Sequence, residues 1–318
     1  MYKHLISEQR SQIFALLQNG TSRKIICQIV GISQSTLSRE LKRNVNKNGE
    51  YTYLRAQELA DIRKERSCLN RRIPPWILHK ALRLLREEQW SPRQISGWLS
   101  KQGIHISHER IYQAIRQDET GELQQHCRHK MKYRYHIKRP KAKAGKSLIP
   151  NRVSIHERPV EANGKRFGDW EMDLVIGKGQ KSAVLTLIER STNMFLQFKL
   201  QSKKPDHVAK AVYRLLLPYK GHEGVKTITT DNGVEFSSHE WLTKKLRAPV
   251  YFADPYCSGQ KGAVENANKL LRQYFPKGTD FNHVTQTELN KVQAKINRRP
   301  REKLDFSTPK DEFFKHFR

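Results

Sequence analysis

Cysteine is scarce in this chain, and what there is lies scattered. Cys27, Cys68, Cys127 and Cys257 form no C-x-x-C pair, which argues against a disulfide framework or a zinc knuckle. The nearest approach to a metal cluster, His126-Cys127-Arg128-His129, sits in a basic run and lacks the closed four-ligand shell of structural zinc. No apolar stretch approaches the roughly 20 residues of a membrane span, and Met1 to Gly20 alternates polar and apolar residues where a secretory leader would be apolar. A cytoplasmic protein with no membrane partner is expected. Acid is the other shortage: 31 Asp and Glu against 60 Lys and Arg leave a formal charge of +29. An excess of that size is the footprint of a polyanion partner, in practice nucleic acid, and the front half of the chain carries the larger share of it.

What is present begins with helix signals. Ser7 opens a helix carrying Ile13, Leu16 and Leu17, Thr21 or Ser22 opens a short one with Ile25, Ile26 and Ile29, and Gly31 turns the chain into Ser33 to Arg43. Three short helices with a glycine turn predict a helix-turn-helix. Its last helix puts Leu37 and Leu41 on one side and Gln34, Ser35, Ser38, Arg39, Lys42 and Arg43 on the others, a polar-basic set suited to base edges and phosphates in a major groove. A protein-binding helical module is the competing reading, and the charge favours DNA.

The layout repeats. An amphipathic helix spans Ile77 to Glu87, Ser91-Pro92 caps another through Leu99, Gly103 turns, and Ser107 leads a helix offering Arg110, Gln113 and Arg116. Between the two, Tyr53 to Cys68 reads as a charged helix. His126 to Ser147 is rich in Lys and Arg with no acid, so it reads as a tether whose Lys138 and Arg139 track phosphates. The expected domains are residues 1–50 and 51–125, the two helix-turn-helix regions; 126–160, a basic linker; and 161–318, a mixed α/β domain.

That last domain holds three acids in distinctive settings. Asp173 sits in the apolar run Gly168 to Gly177, which predicts a strand; Asp231 ends a β-branched run that stops at Asp231-Asn232-Gly233; and Glu265 flanks the helical stripe Val264, Ala267, Leu271 and Tyr274. Carboxylates on two strand ends and a helix suit hard divalent cations, which keep sites open for water and phosphate oxygens. Singly, each has an ordinary reading: an edge-strand acid, a common turn, a surface pair with Lys269.

Together the motifs resemble a known family. Gly168 to Gly177 with its Trp-Glu-x-Asp core, Thr229-Thr230-Asp231-Asn232-Gly233-x-Glu235-Phe236, Pro255-Tyr256-x-x-x-Gln260-x-Gly262-x-x-Glu265-Asn266-x-Asn268 and Leu270 to Gly278 are similar to the DDE transposases of bacterial insertion sequences, specifically the insertion-sequence-thirty family. The resemblance covers nearly the whole chain. It implies an RNase H-like (retroviral integrase-like) catalytic domain behind N-terminal all-α helix-turn-helix units, and a metal-binding triad of Asp173, Asp231 and Glu265. Arg272 matches the basic residue placed two turns after the glutamate.

The resemblance also implies Mg²⁺ or Mn²⁺, two ions per site, and no small-molecule cofactor. Double-stranded DNA partners follow, as terminal inverted repeats and target, with a homo-oligomer on DNA and a circular intermediate with abutted ends. Arg298, Arg299 and Arg301 of the tail are expected against phosphates. Departures from the family pattern are Asp169 for His, Met172 for Gly, Cys257-Ser258-Gly259 for Ser-Pro-Trp and Ala263-Val264 for a more polar pair; none is a triad residue. The rival reading is a catalytically inactive or regulatory helix-turn-helix protein derived from a transposase, against which the presence of all three acids and Arg272 argues.

Overall fold

The computed structural model describes residues 4–46, 48–70, 73–131, 149–180, 182–255 and 257–317. It divides into two compact units, Met1–Pro74 and Pro75–Arg318. In the first, α1 (Ser7–Gln18), α2 (Arg23–Val30) and α3 (Gln34–Asn44) form the expected helix-turn-helix. Gly31 ends α2 with φ 69°, a left-handed cap that glycine adopts without penalty. Ser33 then starts α3, its hydroxyl accepting from the Thr36 amide at 3.2 Å. Ile13, Ile26 and Leu37 fill the centre. A buried ion pair, Arg10 Nε to Glu40 Oε1 at 2.8 Å, bolts α1 to α3, and Tyr51 Oη donates to the same carboxylate. The charged helix α4 (Tyr53–Asn70), which the sequence grouped with the second helical region, packs on α1 through the Phe14–Tyr53 ring contact and the Arg10–Gln57 hydrogen bond.

The second unit opens with α5 (Pro75–Glu88), α6 (Pro92–Ser100), α7 (His108–Arg116) and α8 (Glu122–His126). Ser91 and Gln94 form a capping box on α6, and Ser107 caps α7, so the layout of α1 to α3 recurs. This helical region is seated on the C-terminal tail. Lys101 Nζ donates to the Asp305 carbonyl at 2.7 Å, Arg93 pairs with Glu302, and the Phe306 ring packs so close to Gly97 that an added Cβ would stand 2.3 Å from it. Gly97→Ala should therefore lower the stability of the second unit by about 1–3 kcal/mol, read as a shift of its thermal melting transition.

Behind these helices lies a six-stranded sheet: β1 (Val153–Ser154), β2 (Asp169–Ile176), β3 (Ala183–Glu189), β4 (Phe195–Leu200), β5 (Thr227–Thr230) and β6 (Val250–Phe252), in the order β1-β6-β5-β2-β3-β4. β2, β3 and β4 are antiparallel, whereas β5 and β6 join parallel to β2. β3 is buried at every position, as expected of a strand covered on both faces. Alternation sorts its side chains: Leu185 and Leu187 meet the core under α9 (Pro205–Leu216) and α10 (His239–Leu246), while Val184 and Ile188 meet the core under α11 (Gly262–Tyr274) and α12 (Gln286–Asn297). A short α13 (Pro309–Phe314) closes the first of these cores through Phe313. The three antiparallel strands followed by two parallel ones form the expected RNase H-like core.

Two expectations change. The stretch at the end of the 126–160 linker docks on the sheet: β1 pairs with β6, the His239 ring nitrogen is hydrogen-bonded to the Pro150 carbonyl, and Asn151 donates to Glu240. A two-residue edge strand is too short to announce itself by periodicity. Lys138 and Arg139 lie outside the described residues. The tail arginines, expected against phosphates, are turned inward or paired. Arg299 is 2% exposed and donates to Gln273 Oε1 and Tyr274 Oη. Arg301 donates to the Ile296 carbonyl, with burial pushing its pKa down to about 9, and Arg298 pairs with Glu88 at 3.5 Å.

Candidate active site

Strand alternation aims the Trp-Glu-x-Asp segment. Trp170 and Met172 point into the core under α9 and α10, so Glu171 and Asp173 face α11. Glu171 is buried; its carboxylate accepts from the Val264 amide at 2.9 Å and pairs with Arg190 Nε at 2.9 Å. It thereby pins the first turn of α11, where Glu265 sits, to the strand that carries Asp173. Burial raises the Glu171 carboxyl above the ordinary range, opposed by the Val264 amide and by Arg190.

Asp231 follows β5, which lies beside β2, and its Oδ1 accepts from the Gly233 amide at 3.1 Å. A residue that no sequence motif singles out joins the two aspartates: Lys261 Nζ lies 3.0 Å from Asp231 Oδ2 and 3.5 Å from Asp173 Oδ1. The lysine is delivered by a loop that closes on itself, with the Asp254 amide donating to Gln260 Oε1 at 2.7 Å and Gln260 Nε2 donating to the Asp254 carboxylate at 2.8 Å. Burial lifts the Asp173 carboxyl, with Asp231 adding to the rise and Lys261 opposing it. Burial works against a charged Lys261, yet the two carboxylates raise it above the ordinary lysine value.

Asn268, one turn beyond Glu265 on α11, donates to Asp173 Oδ2 at 2.8 Å, while its own Oδ1 is buried without a hydrogen-bond partner. Glu265 lines a cavity of about 290 Å³ together with Asp173, Asn268, Lys269 and Arg272. Glu265 is not within ion-pair distance of Lys261, and among the described residues no three His, Cys, Asp or Glu side chains are gathered to hold a metal ion. The structure thus brings Asp173 and Asp231 to one cation and puts Glu265 on the lining of the adjoining cavity. Arg272 donates to the Ile176 carbonyl at 2.8 Å and lines both this cavity and a neighbouring cleft of about 590 Å³ that also holds Lys178 and Lys277. Those two lysines gave no signal in so basic a sequence.

The two candidate reading helices differ in what they expose. Gln34, Ser35, Ser38, Arg39, Lys42 and Arg43 are all exposed on α3 around a buried Leu37. Arg39 is held along the helix by a 3.0 Å bond to the Ser35 carbonyl. On α7, Gln113 is exposed and Arg110 half-buried, while Arg116 pairs with Glu109 at 2.7 Å, so that guanidinium would have to leave an acid to meet a phosphate.

Helix-turn-helix elements and an RNase H-like core with one aspartate in the middle of β2 and another just past the end of β5 define a class: enzymes that bind DNA and act on its strands. Residues 162–258 match the integrase core domain model, which spans Asp173 and Asp231 and stops short of Glu265, and residues 1–44 match a helix-turn-helix domain model. The chain is 40% identical to the transposase for insertion sequence element IS4351 of Bacteroides fragilis, over 98% of this chain and 96% of that one. It is 34% identical to the transposase InsI for element IS30C of Escherichia coli (strain K12), over 97% of this chain and 82% of that one. Among solved structures, the catalytic core domain of BIV integrase matches 47% of this chain and 95% of its own at 20% identity and TM-score 0.38. The chain belongs to the transposases of the insertion-sequence-thirty (IS30) family.

Proposed function

We propose that this chain mobilises its own insertion sequence, binding the terminal inverted repeats as double-stranded DNA and cutting and rejoining strands at a metal site of Asp173, Asp231 and Glu265. The observation that carries the reading is the Lys261 ammonium seated between the Asp173 and Asp231 carboxylates: a stand-in cation between oxygen donors. The unpartnered Asn268 Oδ1 adds a further oxygen beside Asp173. An all-oxygen donor set suits a hard cation, Mg²⁺ with Mn²⁺ as substitute, and Glu265 would complete it from the lining of the adjoining cavity. Two ions, when bound, stabilise the attacking and leaving oxygens of a phosphodiester.

The chain's own residues hold and orient. β2 and β5 fix the two aspartates side by side, Glu171 sets the height of α11, and Arg272 with Lys178 and Lys277 offers cationic seats for the strand beside the acids. Water, and then the 3′-hydroxyl it frees, are the successive nucleophiles, with no covalent link to the protein. α3 and α7 are the reading helices. The protein works as a homodimer or larger assembly on DNA, at the nucleoid in the cytoplasm. Purified protein, Mg²⁺ and labelled duplex carrying the element's ends should yield nicked and joined products; binding without either product would favour the regulatory reading.

Arg39→Ala should weaken binding to the cognate end by about 1–3 kcal/mol if the contact is to a base, and much less on random DNA. Competition binding of the two duplexes measures both. Equal losses would make Arg39 a phosphate contact.

A further inference from the structure

Lys261 asks for an explanation that ligand geometry alone does not supply. Its side chain is 7% exposed, and a closed loop holds it so that the ammonium bridges Asp173 and Asp231. Under the reading proposed above, on which this inference rests, that bridge occupies the position a divalent cation takes. A second cation there is disfavoured, because like charges a few ångströms apart repel, the more so beside an ammonium that is itself buried.

We infer that Lys261 is a positioning residue that balances the metal-free site and changes partners when the site is loaded. Its ammonium leaves the two aspartates for a phosphate of the DNA strand. The new seat is near: Asp173, which the lysine already touches, lines the cavity shared with Arg272 and Lys269, and a lysine carries its charge on a flexible four-carbon stem. Without DNA, and with all three carboxylates engaged by metal, the displaced ammonium gains no new anion, so metal binding is disfavoured. With DNA, the phosphate receives it, so metal and DNA each raise the affinity for the other by the same factor. The site thus assembles its metal on DNA and resists doing so in free protein.

The test is calorimetric titration of Mn²⁺ into wild type, Lys261→Met, Lys261→Arg and Asp173→Asn, each with and without a duplex oligonucleotide carrying one end of the element. Melting curves in EDTA and in Mn²⁺ run alongside. Lys261→Met should bind Mn²⁺ roughly 5- to 150-fold more tightly than wild type without DNA, and the gap should narrow with DNA. Its melting temperature should fall in EDTA, where two carboxylates face each other uncompensated, and recover in Mn²⁺. Lys261→Arg, which keeps the charge, should follow wild type. Should Lys261→Met fail to fold, Lys261→Gln supplies the same comparison. Equal or weaker Mn²⁺ binding by the neutral variants, with wild type binding and Asp173→Asn not, would overturn the exchange and leave the metal site standing. No Mn²⁺ binding by wild type, with or without DNA, would remove the metal site and the exchange together.

Discussion

Replacing Asp173 or Asp231 with Asn, or Glu265 with Gln, is expected to reduce strand cleavage and strand joining by about three orders of magnitude while leaving binding of the element's ends in EDTA nearly intact. The size follows from the chemistry assigned to the site: stabilising the charge on the attacking and leaving oxygens is worth several kcal/mol, and each 1.36 kcal/mol is about a factor of ten in rate. The asymmetry between cutting and binding follows from the chain's layout, since the exposed polar face of α3 belongs to the compact unit Met1–Pro74 and the acids to the other. Labelled end duplexes, scored for nicking, joining and retention in a gel, separate the two outcomes. A variant that still joins at near the wild-type rate removes its residue from the triad.

The second large effect belongs to a residue that touches no substrate. Glu171→Ala should destabilise the catalytic unit by about 3–5 kcal/mol, because it strips Arg190 of its buried partner and leaves a guanidinium that is only 14% exposed uncompensated. It also frees the Val264 amide at the head of α11, so the protein that remains folded should lose most of its strand cleavage through misplacement of Glu265. Denaturant titration measures the first effect and single-turnover cleavage below the transition the second. Full activity with full stability would mean that the carboxylate neither sets α11 nor balances Arg190.

Much of this was legible in the chain because its signals are local. A strand that ends in Asp-Asn-Gly, a glycine between two capped helices and an apolar stripe at helical spacing can each be read within a dozen residues, and β5, the α2–α3 turn and α11 lie where those patterns put them. Lys261 was not legible. In a chain with 60 Lys and Arg a lysine carries almost no information, and only the fold of the Asp254 to Lys261 loop reveals that this one is buried between two acids. The tail arginines failed the other way: charge suggested exposure, yet tertiary packing turned Arg299 toward Tyr274 and Gln273. The first unit's reach also escaped the sequence, because α4 belongs to it through a ring contact and one buried arginine on α1 rather than through a pattern of its own.

Strand cleavage at this site requires the three acids to meet around metal. Crystals of the protein with end DNA, soaked in Mn²⁺ and measured at the manganese absorption edge, answer that directly. The prediction is anomalous density between the Asp173 and Asp231 carboxylates at roughly 2.1 Å from their oxygens, with Glu265 drawn in from the lining of the adjoining cavity and the Lys261 ammonium withdrawn to a phosphate. A DNA-bound complex that joins strands in the same Mn²⁺ yet shows no density there, with Lys261 still bridging the two aspartates, would contradict it.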